Sequence, residues 1–425
     1  MTLAPWAWER AGELLVPPPG CGPDLIPLGD LVAAVAAAQG DPPASQLTLR
    51  SSQWTLAELG VSLLSRGNDP EERELIRQAA DQLRSSLVGD TVTYVVNRNL
   101  NVSNHCTKHC SFCAFRRDPG DPGAYWLERD DLLHRAAEAR AAGATELCVQ
   151  GGLNAAATLG GSLTAYAEQL LRDLHHAAPG IHLHAFSPQE LLFFAEGDGI
   201  PLAEVIQRLQ AAGLGSVPGT AAEVLTERVR RVLCPEKLSA QAWCAVMLQV
   251  HRAGLPSTAT LMAGHLENDA DRVAHLLTLR ALQQQAQQEG QRGFTEFVLL
   301  PFVGQSAPAP LRQRVGRDQP DLEAMLLLTA QARLLLGPAF VNHQPSWVKL
   351  TLSGATEALR WGCNDLGGTL MEEHITTMAG AQGGTSQSPQ ALEAAARRAG
   401  RPVRQRTTLY GAVATTAALP LEVPV

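Results

Sequence analysis

Cys106, Cys110 and Cys113 lie within the ten-residue stretch CTKHCSFCAF, four and then three positions apart. Thiolates are soft ligands, so a group this tight points first to metal. A structural zinc site closes with four ligands, usually in paired knuckles. No fourth Cys follows nearby, and His105 and His109 are immediate neighbours of Cys106 and Cys110, which makes joint ligation awkward. Three thiolates can instead hold a [4Fe–4S] cubane and leave one iron without a protein ligand, an open position where chemistry can occur. Cys21, Cys148, Cys234, Cys244 and Cys363 are isolated and read as small buried or incidental thiols. This usage argues against a disulfide framework and for a reducing cytosol.

Other polar residues sort by strand period. In IHLHAF, Ile181, Leu183 and Ala185 share one face, so His182 and His184 share the other. The aliphatic face suits a helix layer. The histidines then point inward, with His184 a candidate for handling substrate or protons and His182 read as a hydrogen-bonded core residue. In STATLMAGHLEND, Thr258, Thr260 and Met262 share a face, and His265 stands just past the strand end as a second catalytic candidate. Asn342, His343 and Gln344 in NHQPSW, and Asn364 and Asp365 in CNDLGG, offer neutral donors and acceptors. Asn342, Gln344, Asn364 and Asp365 are the substrate-binding candidates. Thr220 and Glu223 fit a capping-box pattern. Arg230 or Arg231 is a candidate to pair with a carboxylate, with a solvated helix face as the competing reading.

Elements must hold these residues in place. Residues 1 to about 90 carry helical periodicity, as in LGDLVAAVAAAQ and EERELIRQAADQLRSSL, with VPPPGCGP as punctuation. From TVTYVVNRNLNV onward, strand-like runs alternate with amphipathic segments such as LERDDLLHRAAEARAAGA and DADRVAHLLTLRALQQQAQQ. The further runs are TELCVQGG, IHLHAF, GLGSVPG, STATLMAGH, TEFVLLPF, FVNHQPSWV and RWGCNDLGG, eight strands with the first. The pattern predicts a (β/α)₈ barrel of the TIM type over residues 91–380, a helical extension over 1–90, and a tail over 381–425 packed on or beside the barrel. The cysteines then fall at the end of the first strand, on the face where barrel enzymes keep their active sites. The 425 residues are 45% hydrophobic and 18% charged, with a formal net charge of -8, and Lys and Arg are scattered. That argues against nucleic-acid binding. No stretch reads as a membrane span or a secretory signal, so a cytoplasmic protein is expected.

C-x₃-C-x-Φ-C, with Phe112 before Cys113, resembles the signature of the radical S-adenosylmethionine (SAM) superfamily. The resemblance implies that Cys106, Cys110 and Cys113 bind a [4Fe–4S] cluster and that its open iron holds SAM. It also implies reductive cleavage of SAM to methionine and a 5'-deoxyadenosyl radical. Further segments narrow it: TYVVNRNLNVSNHCTKHCSFCAFRR, PGTAAEVL, STATLMAGHLE, GFTEFVLLPFV, QPSWVKL and CNDLGGTLMEE are similar to the FO synthase family, from about residue 70 to 380. That family implies coupling of tyrosine to 5-amino-6-(D-ribitylamino)uracil, with release of 2-iminoacetate, in deazaflavin synthesis. A ferredoxin or flavodoxin electron donor and a ring-closing partner subunit go with it. By the same resemblance Gln150, Gly151 and Gly152 form a turn whose backbone approaches SAM, with Leu153 where an acidic residue is usual. Glu223 has a competing role in accepting hydrogen bonds from the SAM ribose. The aminofutalosine-type radical SAM enzymes of menaquinone synthesis are the alternative, with a more glycine-rich stretch where this chain has PGTAAE.

Overall fold

The computed structural model describes residues 26–39, 50–51 and 54–413. Cys21 and VPPPGCGP lie outside them. Three helices lead in, α1 (Leu28–Ala37), α2 (Leu56–Ser65) and α3 (Pro70–Val88). α2 starts at a capping box: Thr55 Oγ1 accepts from the Glu58 amide at 3.2 Å, and the Glu58 carboxylate accepts from the Thr55 amide at 2.7 Å. α3 starts at Asp69 with Pro70 in its first turn.

The barrel begins with β1 (Val92–Val95) and β2 (Asn97–Asn101), two halves of one strand broken at Val96. Next come β3 (Glu146–Gln150), β4 (His182–Ala185), β5 (Ser257–Ala263), β6 (Phe294–Pro301), β7 (His343–Pro345) and β8 (Asp365–Gly368). Within the three sheets every barrel pairing is parallel. The gap between β4 and β5 is filled by residues 216–217, where Ser216 bridges His184 and Val217 bridges Ser257. β7 meets β8 through the Asn364 amide and the His343 carbonyl at 3.1 Å. β8 runs beside β1, and the Asn99 amide donates to the Leu370 carbonyl at 2.9 Å, which closes the ring on β2. The eight sequence-predicted strands are therefore all present, with GLGSVPG contributing only bridges.

Helices cover the outside: α4 (Arg129–Ala141), α5 (Leu163–Ala177), α6 (Pro188–Asp198), α7 (Glu227–Leu233), α8 (Asp269–Gln288), α9 (Leu322–Leu336) and α10 (Trp347–Ala358). The lead-in packs on this layer, α2 against α8 and α3 against α9. It buries Leu56, Leu59, Leu63 and Ile76 completely, each worth about 1.5–3 kcal/mol. Among the described residues no helix is long and apolar enough to cross a membrane.

After α11 (Pro389–Arg398) the chain returns as β9 (Val403–Arg406), parallel to β1 with Val403 opposite Val92. Arg406 is buried at the N-terminal end of the barrel, where Nη2 donates to Asp365 Oδ1 at 3.0 Å and the guanidinium lies over the Tyr410 ring at 4.0 Å.

His275 of α8 ties the wall to the site. Its Nδ1 accepts from the Leu225 amide at 3.0 Å, so Nε2–H donates to the Thr260 carbonyl at 2.9 Å. Only the neutral ring fits both partners. Burial pulls its pKa down to about 3. The folded value lies below the ordinary one of about 6.5, so the unfolded chain binds more protons in between and the stability His275 contributes is lost as pH falls from about 6.5 toward 3. His184, pulled down to about 4 by burial, acts with the same sign. Thermal unfolding is expected to shift to lower temperature from pH 7 to pH 4, and His275→Gln, which can keep one hydrogen bond, to flatten that slope. Parallel curves would show that His275 is not the titrating group.

Candidate functional site

A cavity of about 380 Å³ opens at the C-terminal end of the barrel. Cys106, Cys110 and Cys113 line it with Phe112, Gln150, Gly151, Gly152, Glu190, Glu223, Lys237, Gln344 and Lys349. All three cysteines are free thiols. Their loop follows β2 and is pinned mainly by its backbone, with the His109 amide donating to Glu236 Oε2 at 3.0 Å and Ser111 Oγ to the Leu233 carbonyl at 2.8 Å. The Thr107 amide donates to the Leu153 carbonyl at 3.1 Å, the Gly152 amide to the Ser103 carbonyl at 2.7 Å, and the Ser111 amide to the Leu233 carbonyl at 3.1 Å. Leu153, in place of the expected acid, thus holds the cysteine loop through its carbonyl.

Gly152 permits the contact. A Cβ built there would lie 2.1 Å from the His105 carbonyl oxygen and 3.0 Å from Cys106 Cβ, whereas one on Gly151 would meet the Ser103 carbonyl at 3.1 Å. The turn is also held from below, where the Gly151 amide donates to Glu190 Oε1 at 3.3 Å and the Ser187 amide to Glu190 Oε2 at 2.7 Å. Burial pushes the Glu190 carboxyl up to about 7, against these donors. Glu190 lines the cavity and was passed over by sequence reasoning, although Ser187 with Glu190 three residues on is itself a capping box at the start of α6.

Lys237 was missed as well. Its ammonium pairs with Glu223 Oε1 at 2.6 Å and sits 5.2 Å from the centroid of the Phe112 ring. Burial opposes the Lys237 charge, yet Glu223 and the neighbouring thiols hold its pKa above the ordinary value. Burial alone would raise the Glu223 carboxyl, and Lys237 brings it below the usual range. Phe112 and Glu223, singled out separately, are therefore joined by one half-buried cation. Burial pushes the Cys110 thiol up to about 12, with Lys237 pulling the other way.

The capping-box expectation for Thr220 fails, because α7 starts at Glu227 with Thr226 before it. Glu223 sits instead in a turn at φ 45°, next to Ala221 at φ 64°, and Leu370 across the cavity has φ 60°. Such backbone costs about 1–3 kcal/mol per residue and gathers where function over-determines it. Among the described residues neither Arg230 nor Arg231 meets a carboxylate. Arg230 is buried and donates to the carbonyls of Ala221, Ala222, Val224 and Leu238, bracing this turn, while Arg231 is exposed.

Five predicted residues do not line the cavity. His184 lies deeper in the barrel, where its Nδ1 and His182 Nε2 both meet Ser216 Oγ at 2.7 Å. His265 is folded into its own turn, with Nε2 on the Met262 carbonyl at 3.0 Å and its ring edge-on to Phe302. Asn342 and Asn364 precede β7 and β8 rather than ending them, so they fall at the opposite rim. Asn364 Nδ2 donates to Asn342 Oδ1 at 3.0 Å, and its Oδ1 accepts from Arg333 at 2.8 Å. Asp365 is taken up by Arg406 and by the Gly367 amide at 2.7 Å. Gln344 does reach the cavity, and packs over Gly367, whose φ of 74° and missing side chain leave the room. Charged groups line the wall as well, among them Lys108, Arg116, Lys237 and Lys349.

The donor set fits the expected cluster. Among the described residues no three His, Cys, Asp or Glu groups are placed to share a single metal ion. A cubane asks for something else, one thiolate on each of three irons, and three free thiols along one cavity wall with backbone amides around them offer that.

Comparison with known proteins agrees. The radical SAM superfamily description matches residues 100–279, and the CofH/MqnC C-terminal region matches residues 291–418. The 5-amino-6-(D-ribitylamino)uracil–L-tyrosine 4-hydroxyphenyl transferase of Cyanothece sp. is 58% identical over 355 residues, covering 83% of this chain and 93% of that one. The protein of the same name from Synechococcus elongatus is 57% identical over 358 residues, covering 84% and 93%. Methylornithine synthase matches in fold with a TM-score of 0.63 at 14% identity, covering 89% of this chain and 97% of that one. The hydrogenase maturase HydG matches with a TM-score of 0.64 at 13%, covering 94% and 78%. The chain belongs to the radical SAM superfamily and, within it, to the family of the 5-amino-6-(D-ribitylamino)uracil–L-tyrosine 4-hydroxyphenyl transferases.

Proposed function

We propose that this chain couples the 4-hydroxybenzyl group of L-tyrosine to C5 of 5-amino-6-(D-ribitylamino)uracil and releases 2-iminoacetate. The observation that carries this reading is the similarity, above half identity, to transferases of that name across nearly their whole length. The relatives' common name also favours it over the menaquinone-route alternative. With a [4Fe–4S] cluster and SAM bound, the site would supply a 5'-deoxyadenosyl radical able to take hydrogen from tyrosine. Cys106, Cys110 and Cys113 would hold the cluster, and the backbone of Gln150, Gly151 and Gly152 would face SAM. Glu223, fixed in place by Lys237, would accept hydrogen bonds from its ribose. Gln344 and Thr260 line the β5–β7 side of the cavity, where an amide and a hydroxyl can meet the neutral heterocycle. An electron donor of the ferredoxin or flavodoxin type, a ring-closing partner subunit and a cytoplasmic location belong to the same proposal.

Anaerobic incubation of the reconstituted protein with SAM, reductant, tyrosine and the diaminouracil is expected to give the coupled product by mass spectrometry. SAM cleavage with no loss of tyrosine would overturn the substrates and leave the superfamily intact.

A further inference from the structure

Lys349 follows β7 in the single turn from Trp347 to Leu350, set off from the rest of α10 by Thr351 at φ 64°. Three close contacts fix that turn. The Gly383 amide donates to the Val348 carbonyl at 3.0 Å, Trp347 Nε1 donates to the Gly368 carbonyl at 2.9 Å, and a Cβ on Gly383 would lie 2.2 Å from the Trp347 carbonyl oxygen. The placement of Lys349 on the cavity wall is thus built into the fold.

Among the described residues its charge has no local partner. Of the other cations on the wall, Arg116 pairs with Asp118 and Lys237 with Glu223, while Lys108 belongs to the cysteine loop on the far side. Among the described residues Lys349 makes no hydrogen bond or ion pair, and Glu373 and Glu223 act on it only across space. Each Glu373 oxygen already accepts a hydrogen bond, one from the Thr376 amide at 2.6 Å and the other from Asn99 Nδ2 at 2.7 Å. Burial pulls Lys349 down to about 8. A cation held this way is costly unless an anion answers it.

The surrounding wall is apolar, with Met262, Val298, Leu300, Leu370 and Ile375 on the β5–β8 side. An aromatic ring fits that lining, and a carboxylate fits the ammonium. Of the two substrates in the reading above, on which this inference rests, only the amino acid carries both groups. We propose that Lys349 binds the α-carboxylate of the amino-acid substrate, with the aromatic side chain lying along the apolar wall. The site would then select aromatic amino acids over their decarboxylated amines.

Equilibrium dialysis of tyrosine and of tyramine tests this with the reconstituted protein and SAM, without reductant. Wild type is expected to bind tyrosine about 10- to 100-fold more tightly than tyramine, the scale of one charged hydrogen bond. Lys349→Met is expected to remove that preference by weakening tyrosine alone, and Lys349→Arg to restore part of it. Iron content and SAM affinity are expected to stay unchanged. Equal affinity of wild type for both ligands overturns the proposal even if Lys349→Met does not fold. Unaltered tyrosine binding in that variant, or a loss confined to SAM, overturns it too. Failure of wild type to bind tyrosine at all, with or without the diaminouracil, would take the substrate reading down with it.

Discussion

Protein carrying Cys106→Ala, Cys110→Ala or Cys113→Ala, reconstituted anaerobically beside wild type, is expected to lose SAM cleavage entirely. Wild type should carry about four irons per chain. Each variant should carry a fraction of that, with the brown absorbance weakened or gone. The expectation of complete rather than partial loss follows from the count. Three thiolates are the minimum that holds a cubane while leaving one iron open, so removing any one leaves two irons without protein ligands. Among the described residues no fourth cysteine lines the cavity. His109 faces outward and meets Glu236 and Asp118, and Cys234, though near Cys110, is buried off the cavity wall. The loop is held mainly by its backbone, so Cys→Ala should leave the fold in place, and circular dichroism would verify this. A triple variant with a full iron complement and intact SAM cleavage would sink the assignment.

Gly152→Val should be nearly as damaging although it touches no ligand atom. The Cβ alone would overlap the His105 carbonyl, at 2.1 Å from its oxygen. Backbone sits on both sides of this contact, so no side chain can swing away to relieve it. Either the turn after β3 or the cysteine loop must move, and the second movement shifts Cys106. Iron content is expected to fall severalfold and SAM affinity by at least about tenfold, the cost of losing one or two well-placed hydrogen bonds. Gly151→Ala is the control. Its Cβ would meet the Ser103 carbonyl at 3.1 Å, a contact that a shift of a few tenths of an ångström relieves. If Gly152→Val binds iron and SAM as wild type does, the turn is not what sets the cysteine loop, and the Thr107–Leu153 and Ser111–Leu233 hydrogen bonds must carry it instead.

The sequence by itself determined the cysteine triad, the strand count and the alternation of strands with helices. Each is a local property: spacing along the chain sets which thiols can share a cluster, and side-chain period sets which face of an element is apolar. The glycine turn came from the family resemblance, with the physical reason that glycine lacks the Cβ that would bar close backbone approach. Which face of the barrel a residue reaches was decided only by the tertiary structure. Asn342 and Asn364 lie at the rim opposite the cavity because β7 and β8 begin one residue after them, and a strand boundary is set by pairing with neighbours distant in sequence. His184 and His265 could not be separated from active-site histidines by residue type, since a ring buried on Ser216 or turned back on its own strand shows no local sign. The remaining decisions were longer in range. Lys237 reaches Phe112 and Glu223 from a loop beyond α7, Lys349 is set by Gly383 in the tail, and Arg406 crosses from β9 to meet Asp365. Charges find their partners through space, and only the closed barrel brings these parts of the chain together.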